Sequence, residues 1–248
     1  DPPAGPWARR DGQPADAKLA DLTSESGVRV YQPVLYDETG AEVAFANSLA
    51  WTGTDPQGRA VFSSCQSWTS STNATYGNSG TAGGVGLVWT QRVSNTCDLS
   101  LRLICLEPGV GDVQRVPSTE GALAFLPSTT GTGDLSTWAG SGGADGVAGA
   151  DAVCQARALA ANLPNPDSFV AWMSDPTSNA STRLTANGPF VRLDGFPLAA
   201  TKAEMIGQSG KLRTGLNVDE LGHYLTGTIS DYHAWTGTEY TGTVALYH

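Results

Sequence analysis

The sequence predicts an α+β fold of short strands, short helices and long loops, and it predicts that this fold occurs twice. Three observations support this. The 248 residues include 30 Gly and 14 Pro, which favour turns and short strands over long helices. Only one long segment, 148–163, has a helical composition. Several motifs recur at nearly one offset. With 40% hydrophobic and 15% charged residues, the composition excludes a disordered chain.

Three motifs occur in the same order in both halves of the chain. Their offsets are 183, 182 and 184 residues, and the matched pairs are 5–14 with 188–197, 37–40 with 219–222, and 50–54 with 234–238. Solenoid repeats have periods of roughly 20–50 residues, so this offset indicates a whole domain plus a linker. We therefore expect residues 1–107 to be the C-terminal portion of a first module, 108–121 a linker, and 122–248 the N-terminal portion of a second.

The first copy is predicted to contain a short helix, a turn and two strands. Pro14–Leu22 has a proline near its first turn, as its counterpart Pro197–Ile206 does, and both are predicted helices. Asp37–Gly40 and its match have the composition of hairpin turns. Strands are predicted at 87–89 and at 99–106, where Leu99, Leu101, Leu103 and Cys105 alternate with other residues.

The second copy is predicted to open with a strand at 122–126. A loop rich in Gly, Ser and Thr follows at 127–149. The helix at 148–163 ends at Pro164-Asn165-Pro166, since proline cannot continue a helix. The apolar run 169–173 is a further strand candidate.

The charge of the chain excludes two classes of partner. Its formal net charge is -10, and only three of its 14 basic residues are Lys. This argues against nucleic-acid binding and against a polybasic membrane patch. No apolar run approaches the roughly 18 residues of a membrane span. The sequence begins Asp1-Pro2-Pro3 with no signal-peptide pattern, so we expect a processed product or a fragment.

The four cysteines indicate an extracellular or cell-surface protein. They lie at positions 65, 97, 105 and 154, without a Cys-x-x-Cys motif or a zinc-like spacing to His. An even count in an acidic, Trp-rich, Lys-poor chain favours disulfides in an oxidising compartment. Buried free thiols in a cytosolic protein are the alternative.

Three segments resemble parts of C-type-lectin-like domains. Cys97–Glu107 resembles the closing strand with its Cys-x-Glu ending, and 149–158 resembles the first helix with its opening Cys. Trp51-Thr-Gly-Thr followed by Ser64–Trp68 resembles the segment between them. Together they are similar to the endostatin-like branch found in bacterial extracellular proteins, over most of 5–107 and 122–248. The resemblance implies two short helices per module and loops that display binding residues.

The resemblance also implies a disulfide pattern. Cys65 and Cys97 would form the inner pair of the first module. Cys105 and Cys154 would each pair with a cysteine outside this sequence, or with each other within one chain or in a head-to-tail assembly. We favour partners outside the sequence, because pairing the two cysteines leaves residues 188–248 as a surplus duplicate.

The sequence does not contain the calcium-dependent sugar motifs of such lectins. Glu-Pro-Asn, Gln-Pro-Asp and Trp-Asn-Asp are all missing from it. Weak calcium candidates are the acidic residues of the repeated turn, where solvated hairpin acids are the favoured alternative: Asp37, Glu38, Glu42, Asp219 and Glu220. Asp11 beside Arg9 and Asp194 beside Arg192 suggest internal ion pairs rather than a site.

These observations predict a non-enzymatic binding or structural module for surface adhesion, or for a matrix or filament, without a cofactor. The only His residues are 223, 233 and 248, and Gly-x-Ser-x-Gly and His-Glu-x-x-His are missing from the sequence. A secreted hydrolase and a calcium-independent carbohydrate-binding lectin are the alternatives. The predicted display loop is 67–86, with Trp68, Tyr76 and Asn78 as candidates to contact a protein or glycan ligand.

Overall fold

The computed structural model describes most of the chain as two compact units. The described residues are 5–16, 19–23, 30–44, 47–108, 120–206, 212–225 and 233–245. The first unit falls within residues 1–117 with 224–232, and the second within 118–223 with 233–248. Both mix short helices with short strands, so the predicted α+β class is confirmed. Residues 109–119 of the predicted linker, and His248, lie outside the described residues.

A two-stranded hairpin opens the first unit. Strand β1 (Trp7–Ala8) pairs antiparallel with β2 (Pro14–Asp16), and helix α1 (Leu19–Leu22) follows. The helix predicted over Pro14–Leu22 is therefore wrong in its first part. Proline suits a first helical turn, but here pairing of Asp16 with Trp7 holds the backbone extended. Tertiary pairing overrides the local preference.

A four-stranded sheet forms the centre of the first unit. Its strands are β3 (Leu49–Trp51), β4 (Tyr76–Thr81), β5 (Val93–Thr96) and β6 (Arg102–Leu103), in the order β5-β4-β3-β6. β3 pairs parallel with β6, and the other pairs are antiparallel.

Strand β4 lies inside the predicted display loop 67–86, so that prediction is wrong for its second half. The Gly-Asn-Ser-Gly sequence of β4 is typical of a loop. In the sheet, however, position 80 has no room for a side chain. A Cβ at Gly80 would overlap the backbone carbonyl of Trp89. Close packing of backbone on backbone therefore explains a glycine in this strand.

The segment predicted as a strand at 87–89 is a 3₁₀ helix, Gly86–Trp89. Gly86 has a positive φ of 66°, which interrupts an extended chain. The turn places Leu87 and Trp89 against the small core of Leu22 and Val30. The strand predicted at 99–106 is confirmed only over Arg102–Leu103.

The second unit contains a three-stranded sheet and the longest helix. Strand β7 (Ala122–Ala124) pairs parallel with β8 (Phe190–Arg192), which pairs antiparallel with β9 (Pro197–Ala199). The predicted helix is confirmed as α3 (Gly146–Ala160). The unit also contains two single-turn α-helices, α4 (Ala180–Arg183) and α5 (Lys202–Met205), and two 3₁₀ helices, Leu135–Thr137 and Pro166–Ser168. The predicted helix at 197–206 thus begins as a strand, like its counterpart in the first unit.

The predicted strand at 169–173 is not formed. Its backbone groups bind side chains instead of a neighbouring strand. The carbonyls of Ala171 and Met173 accept hydrogen bonds from Arg183 at 3.0 and 2.7 Å, and the Ala171 amide donates to Asp151 at 2.8 Å. With these groups already satisfied, the segment follows helix α3 as a bent coil.

The two copies of the repeated segment share their backbone hydrogen bonds. The first hairpin of each repeat contains an ion pair, between Arg9 and Asp11 in one and between Arg192 and Asp194 in the other. Both are ion pairs within the chain, as expected. The Asp37 amide donates to the Ala41 carbonyl, and at the matching turn the Asp219 amide donates to the His223 carbonyl. In the same way, the Asp55 amide donates to the Arg59 carbonyl and the Glu239 amide to the Thr243 carbonyl. The expected local equivalence is confirmed at these turns.

The repeat predicts that residues 5–58 and 188–242 superpose with Trp51 and Trp235 in the same core position, and for the two tryptophans this prediction is wrong. Trp51 lies half-buried in strand β3, whereas Trp235 is 62% exposed. In the first unit, Trp68 packs beside Trp51 and strands β4 and β6 flank it. In the described part of the second unit, no strand pairs with the segment around Trp235.

Cys65 and Cys97 form the predicted disulfide, with their Cα atoms 5.7 Å apart. Cys105 and Cys154 are free thiols. Cys105 is exposed, while burial raises the pKa of the Cys154 thiol to about 12. None of the helices in the ranges described above has the length and apolar character needed to cross a membrane.

Removing the disulfide should lower the stability of the chain markedly. The bond joins residues 32 apart, and closing such a loop contributes roughly 3–4 kcal/mol in the chain-entropy treatment. We expect C65A/C97A to lose about that much unfolding free energy in urea. The matched control is C105A, which removes an exposed free thiol and should change little. Peptide mapping without reductant that found free thiols at 65 and 97 would contradict the pairing.

Candidate functional site

Three exposed aromatic side chains lie within one short stretch of the first unit. We call residues 62–76 the aromatic segment. Phe62 is fully exposed, and Trp68 and Tyr76 are about half exposed. The segment is held to the central sheet by the bridge between Ser64 and Gly77 and by the disulfide at Cys65. Its aromatic side chains therefore project from an anchored backbone.

Trp68 is carried by an unusual turn. All four residues of helix α2 (Cys65–Trp68) have positive φ values, between 48° and 65°. For residues other than glycine, this conformation costs roughly 1–2 kcal/mol each. The disulfide holds one end of the turn, and the Trp68 amide donates to the Ser64 carbonyl at 2.7 Å. Strain of this kind persists only where the surroundings enforce it.

The inner side of Trp68 packs on the Trp-Thr-Gly motif. Its ring centroid lies 5.9 Å from that of Trp51. A Cβ at Gly53 would overlap the Trp68 ring. A Cβ at Gly77 would lie 2.6 Å from the Cys65 sulfur and 2.8 Å from the Trp51 ring. Sequence reasoning missed both glycines as site residues, although the repeat of Gly53 as Gly237 was a usable signal.

Asn78 differs from the other two binding candidates, because it is buried. Its side-chain amide donates to the Thr54 carbonyl at 2.9 Å and approaches Thr52 Oγ1 and the Thr90 carbonyl at 3.4 Å. These contacts join β4 to the segments beside it. Asn78 therefore stabilises the strands that carry the aromatic segment, whereas Trp68 and Tyr76 are exposed to solvent.

The acidic residues of the repeated turn take part in turn hydrogen bonds. Asp37 Oδ1 accepts from the Thr39 hydroxyl and amide and from the Ala41 amide, at 2.6–3.0 Å. The hydroxyl bond from Thr39 is the main reason that the pKa of Asp37 lies below its ordinary value. Asp219 Oδ1 accepts from the amides of Leu221 and His223. Glu38 and Glu42 are exposed.

Glu220 is only 2% exposed and forms an ion pair with Arg157 of helix α3. Its carboxylate also accepts from the Ser128 hydroxyl at 2.6 Å and from the Ser128 amide at 2.8 Å. Burial acts to raise the pKa of Glu220, but bonds from Ser128 and Arg157 outweigh it and leave the pKa lowered. Within the ranges that the structure describes, no three His, Cys, Asp or Glu side chains form a group able to hold a metal ion.

Comparison of the chain with protein-family models, with curated proteins and with solved structures finds no match. The C-type-lectin-like resemblance therefore stays an expectation from the quoted motifs.

Neutralising Glu220 should destabilise the second unit in a pH-dependent way. We expect E220Q to cost about 2–3 kcal/mol near neutral pH, because it leaves Arg157 without its charged partner. A lowered folded-state pKa contributes stability above the ordinary value of 4.5, and this contribution is lost as pH falls through the folded-state pKa. Urea unfolding at pH 7 and at pH 3 should therefore show the difference shrinking in acid. E120Q, at an exposed carboxylate, should have no such effect.

Adding one methyl group at Gly53 should displace Trp68. Gly53 and Gly12 both have positive φ, so either substitution by Ala introduces backbone strain of roughly 1 kcal/mol. Only at Gly53 would the new Cβ also overlap the Trp68 ring, since nothing lies within 4 Å at Gly12. We expect G53A to lower stability more than G12A and to shift the indole NMR resonance of Trp68. Equal stabilities and an unmoved indole resonance would contradict this packing.

Proposed function

We propose that the chain is a non-enzymatic extracellular binding module of C-type-lectin-like type, which contacts its ligand through the aromatic segment of the first unit. The observation that carries this proposal is the presentation of Trp68. A disulfide and a strained left-handed turn hold its ring half exposed on the central sheet.

Rigid aromatic side chains make efficient binding groups. They bury a large area and lose few rotatable bonds when a ligand orders them. The scaffold adds to this advantage, since the ring contact with Trp51 and the disulfide restrict Trp68 before binding. A disulfide is also typical of proteins in oxidising compartments, which supports an extracellular location.

The composition of the aromatic segment indicates an uncharged polar ligand. Residues 62–76 contain no charged side chain, and eight of the fifteen are Ser or Thr. Aromatic rings among hydroxyl and amide groups suit neutral glycans and uncharged protein surfaces, as in antibody paratopes. Calcium is not needed for contacts of this kind, so the mode is that of a calcium-independent lectin or an adhesion domain.

The titratable groups support a role other than catalysis. The described carboxylates with a clear pKa shift all have a pKa below the ordinary value. Each of them accepts hydrogen bonds: Asp11, Asp37, Asp55, Asp175, Glu204 and Glu220. A general acid in a hydrolase needs the opposite shift. The Cys154 thiol, with its raised pKa, is a poor nucleophile at neutral pH.

Removal of the exposed rings should weaken binding without unfolding the chain. We expect the wild type to bind members of a panel of neutral glycans and immobilised extracellular proteins. F62S and Y76S should each weaken that binding about tenfold with unchanged unfolding midpoints, because these rings are exposed. W68A should also weaken binding about tenfold, and the lost packing on Trp51 should lower its stability.

The matched control is Y240S, at a tyrosine that is equally exposed in the second unit. It should bind like the wild type. Undiminished binding by F62S/Y76S would refute a role for the aromatic segment, and turnover of a hydrolase substrate would refute the non-enzymatic assignment.

A further inference from the structure

The sequence contains two Asn-x-Ser/Thr motifs, the acceptor pattern for N-linked glycans. One is Asn73-Ala74-Thr75 in the first unit, and the other is Asn179-Ala180-Ser181 in the second. Short motifs of this kind also arise by chance, so the motif alone does not identify an acceptor. The structure distinguishes the two asparagines by their surroundings.

Asn73 lies in an exposed turn between helix α2 and strand β4. Asn73 and Ala74 form the centre of this turn, and both are exposed. In the described part of the chain, the Asn73 side chain forms no hydrogen bond. Its amide nitrogen is therefore accessible to an enzyme, and no internal contact has to break before it reacts.

The third residue of this motif is anchored to the sheet. The Thr75 carbonyl accepts a hydrogen bond from the Cys97 amide at 3.0 Å, and Cys97 is bonded to Cys65. The Thr75 hydroxyl lies 2.7 Å from the Ser70 hydroxyl and stays near the surface, since Thr75 is only partly buried. The turn thus projects from a fixed base, and a glycan can be attached at its tip without opening the fold.

Asn179 differs because its motif is part of the packed structure. The Asn179 Oδ1 atom accepts a hydrogen bond from the Val244 amide at 2.8 Å. Ala180 is only 1% exposed, and the Ser181 amide donates to the Gly242 carbonyl at 3.0 Å. An enzyme could hold this segment only after pulling it away from residues 242–244.

We propose that Asn73 is a site of N-linked glycosylation, and that the glycan comes from a lipid-linked oligosaccharyl pyrophosphate through a membrane-bound oligosaccharyltransferase. In the transfer, Asn73 Nδ2 forms a bond to C1 of the first sugar and releases one proton. The bond between C1 and the pyrophosphate oxygen breaks, and the lipid pyrophosphate leaves. The glycan then stands within the aromatic segment, at most about 10 Å along the chain from Tyr76. The proposal rests on the extracellular location proposed above and is independent of the ligand that the aromatic segment binds.

The first test secretes the full chain from cultured animal cells behind an added signal peptide. Mass spectrometry of its peptides, before and after enzymatic removal of N-linked glycans, then measures the occupancy of each asparagine. We expect roughly tenfold higher occupancy at Asn73 than at Asn179, because a chain modified at Asn179 cannot pack residues 242–244 and should be retained as misfolded. An unmodified Asn73 in the secreted chain, or equal occupancy at the two sites, overturns the proposal.

Variants of the motif test the assignment in the same cells. N73Q removes the acceptor and T75A removes the hydroxyl that completes the motif, so both should lose the glycan mass entirely. T75S keeps the hydroxyl and should keep the glycan. The matched control is S71A, which removes an exposed hydroxyl just outside the motif and should also keep it. If T75A is not secreted, N73Q and T75S still decide, and a glycan mass retained in N73Q overturns the proposal.

Discussion

The disulfide between Cys65 and Cys97 is the constraint on which the first unit depends. It joins the left-handed turn that carries Trp68 to the end of strand β5, where the Cys97 amide donates to the Thr75 carbonyl at 3.0 Å. Four consecutive residues of positive φ are unfavourable in a free chain. The covalent bond removes much of the unfolded chain's freedom, so the folded state can retain this strain.

The sheet beneath that turn is stabilised largely by hydroxyl and amide contacts. Ser48 and Thr81 share a hydrogen bond of 2.7 Å in the interior, and Thr54 and Thr90 share one of 2.5 Å. Asn78 adds its amide to the same network. Buried polar groups cost stability unless they are paired, and when paired they favour one specific arrangement. A small core of this kind relies on the disulfide for the remainder of its stability.

The repeated segment shows how far local sequence controls local structure. The Arg–Asp pairs and the turns at Gly40 and Gly222 form the same hydrogen bonds in both units, because each is closed by contacts within a few residues. The outcome differs where distant partners contribute. Trp51 is covered by β4, β6 and Trp68, whereas Trp235 stays largely exposed.

The sequence by itself determined the α+β class, the repeat, most of helix α3, the hairpin turns and, through the resemblance, the pairing of Cys65 with Cys97. These features depend on composition, on short-range contacts or on spacing that survives in the chain. Only the tertiary structure decided that β4 is a central strand, that Pro14–Asp16 and Pro197–Ala199 are extended, and that Asn78 and Glu220 are buried. Each of these depends on a partner distant in sequence, such as Trp89 over Gly80 or Arg157 beside Glu220, and local patterns carry no information about such partners.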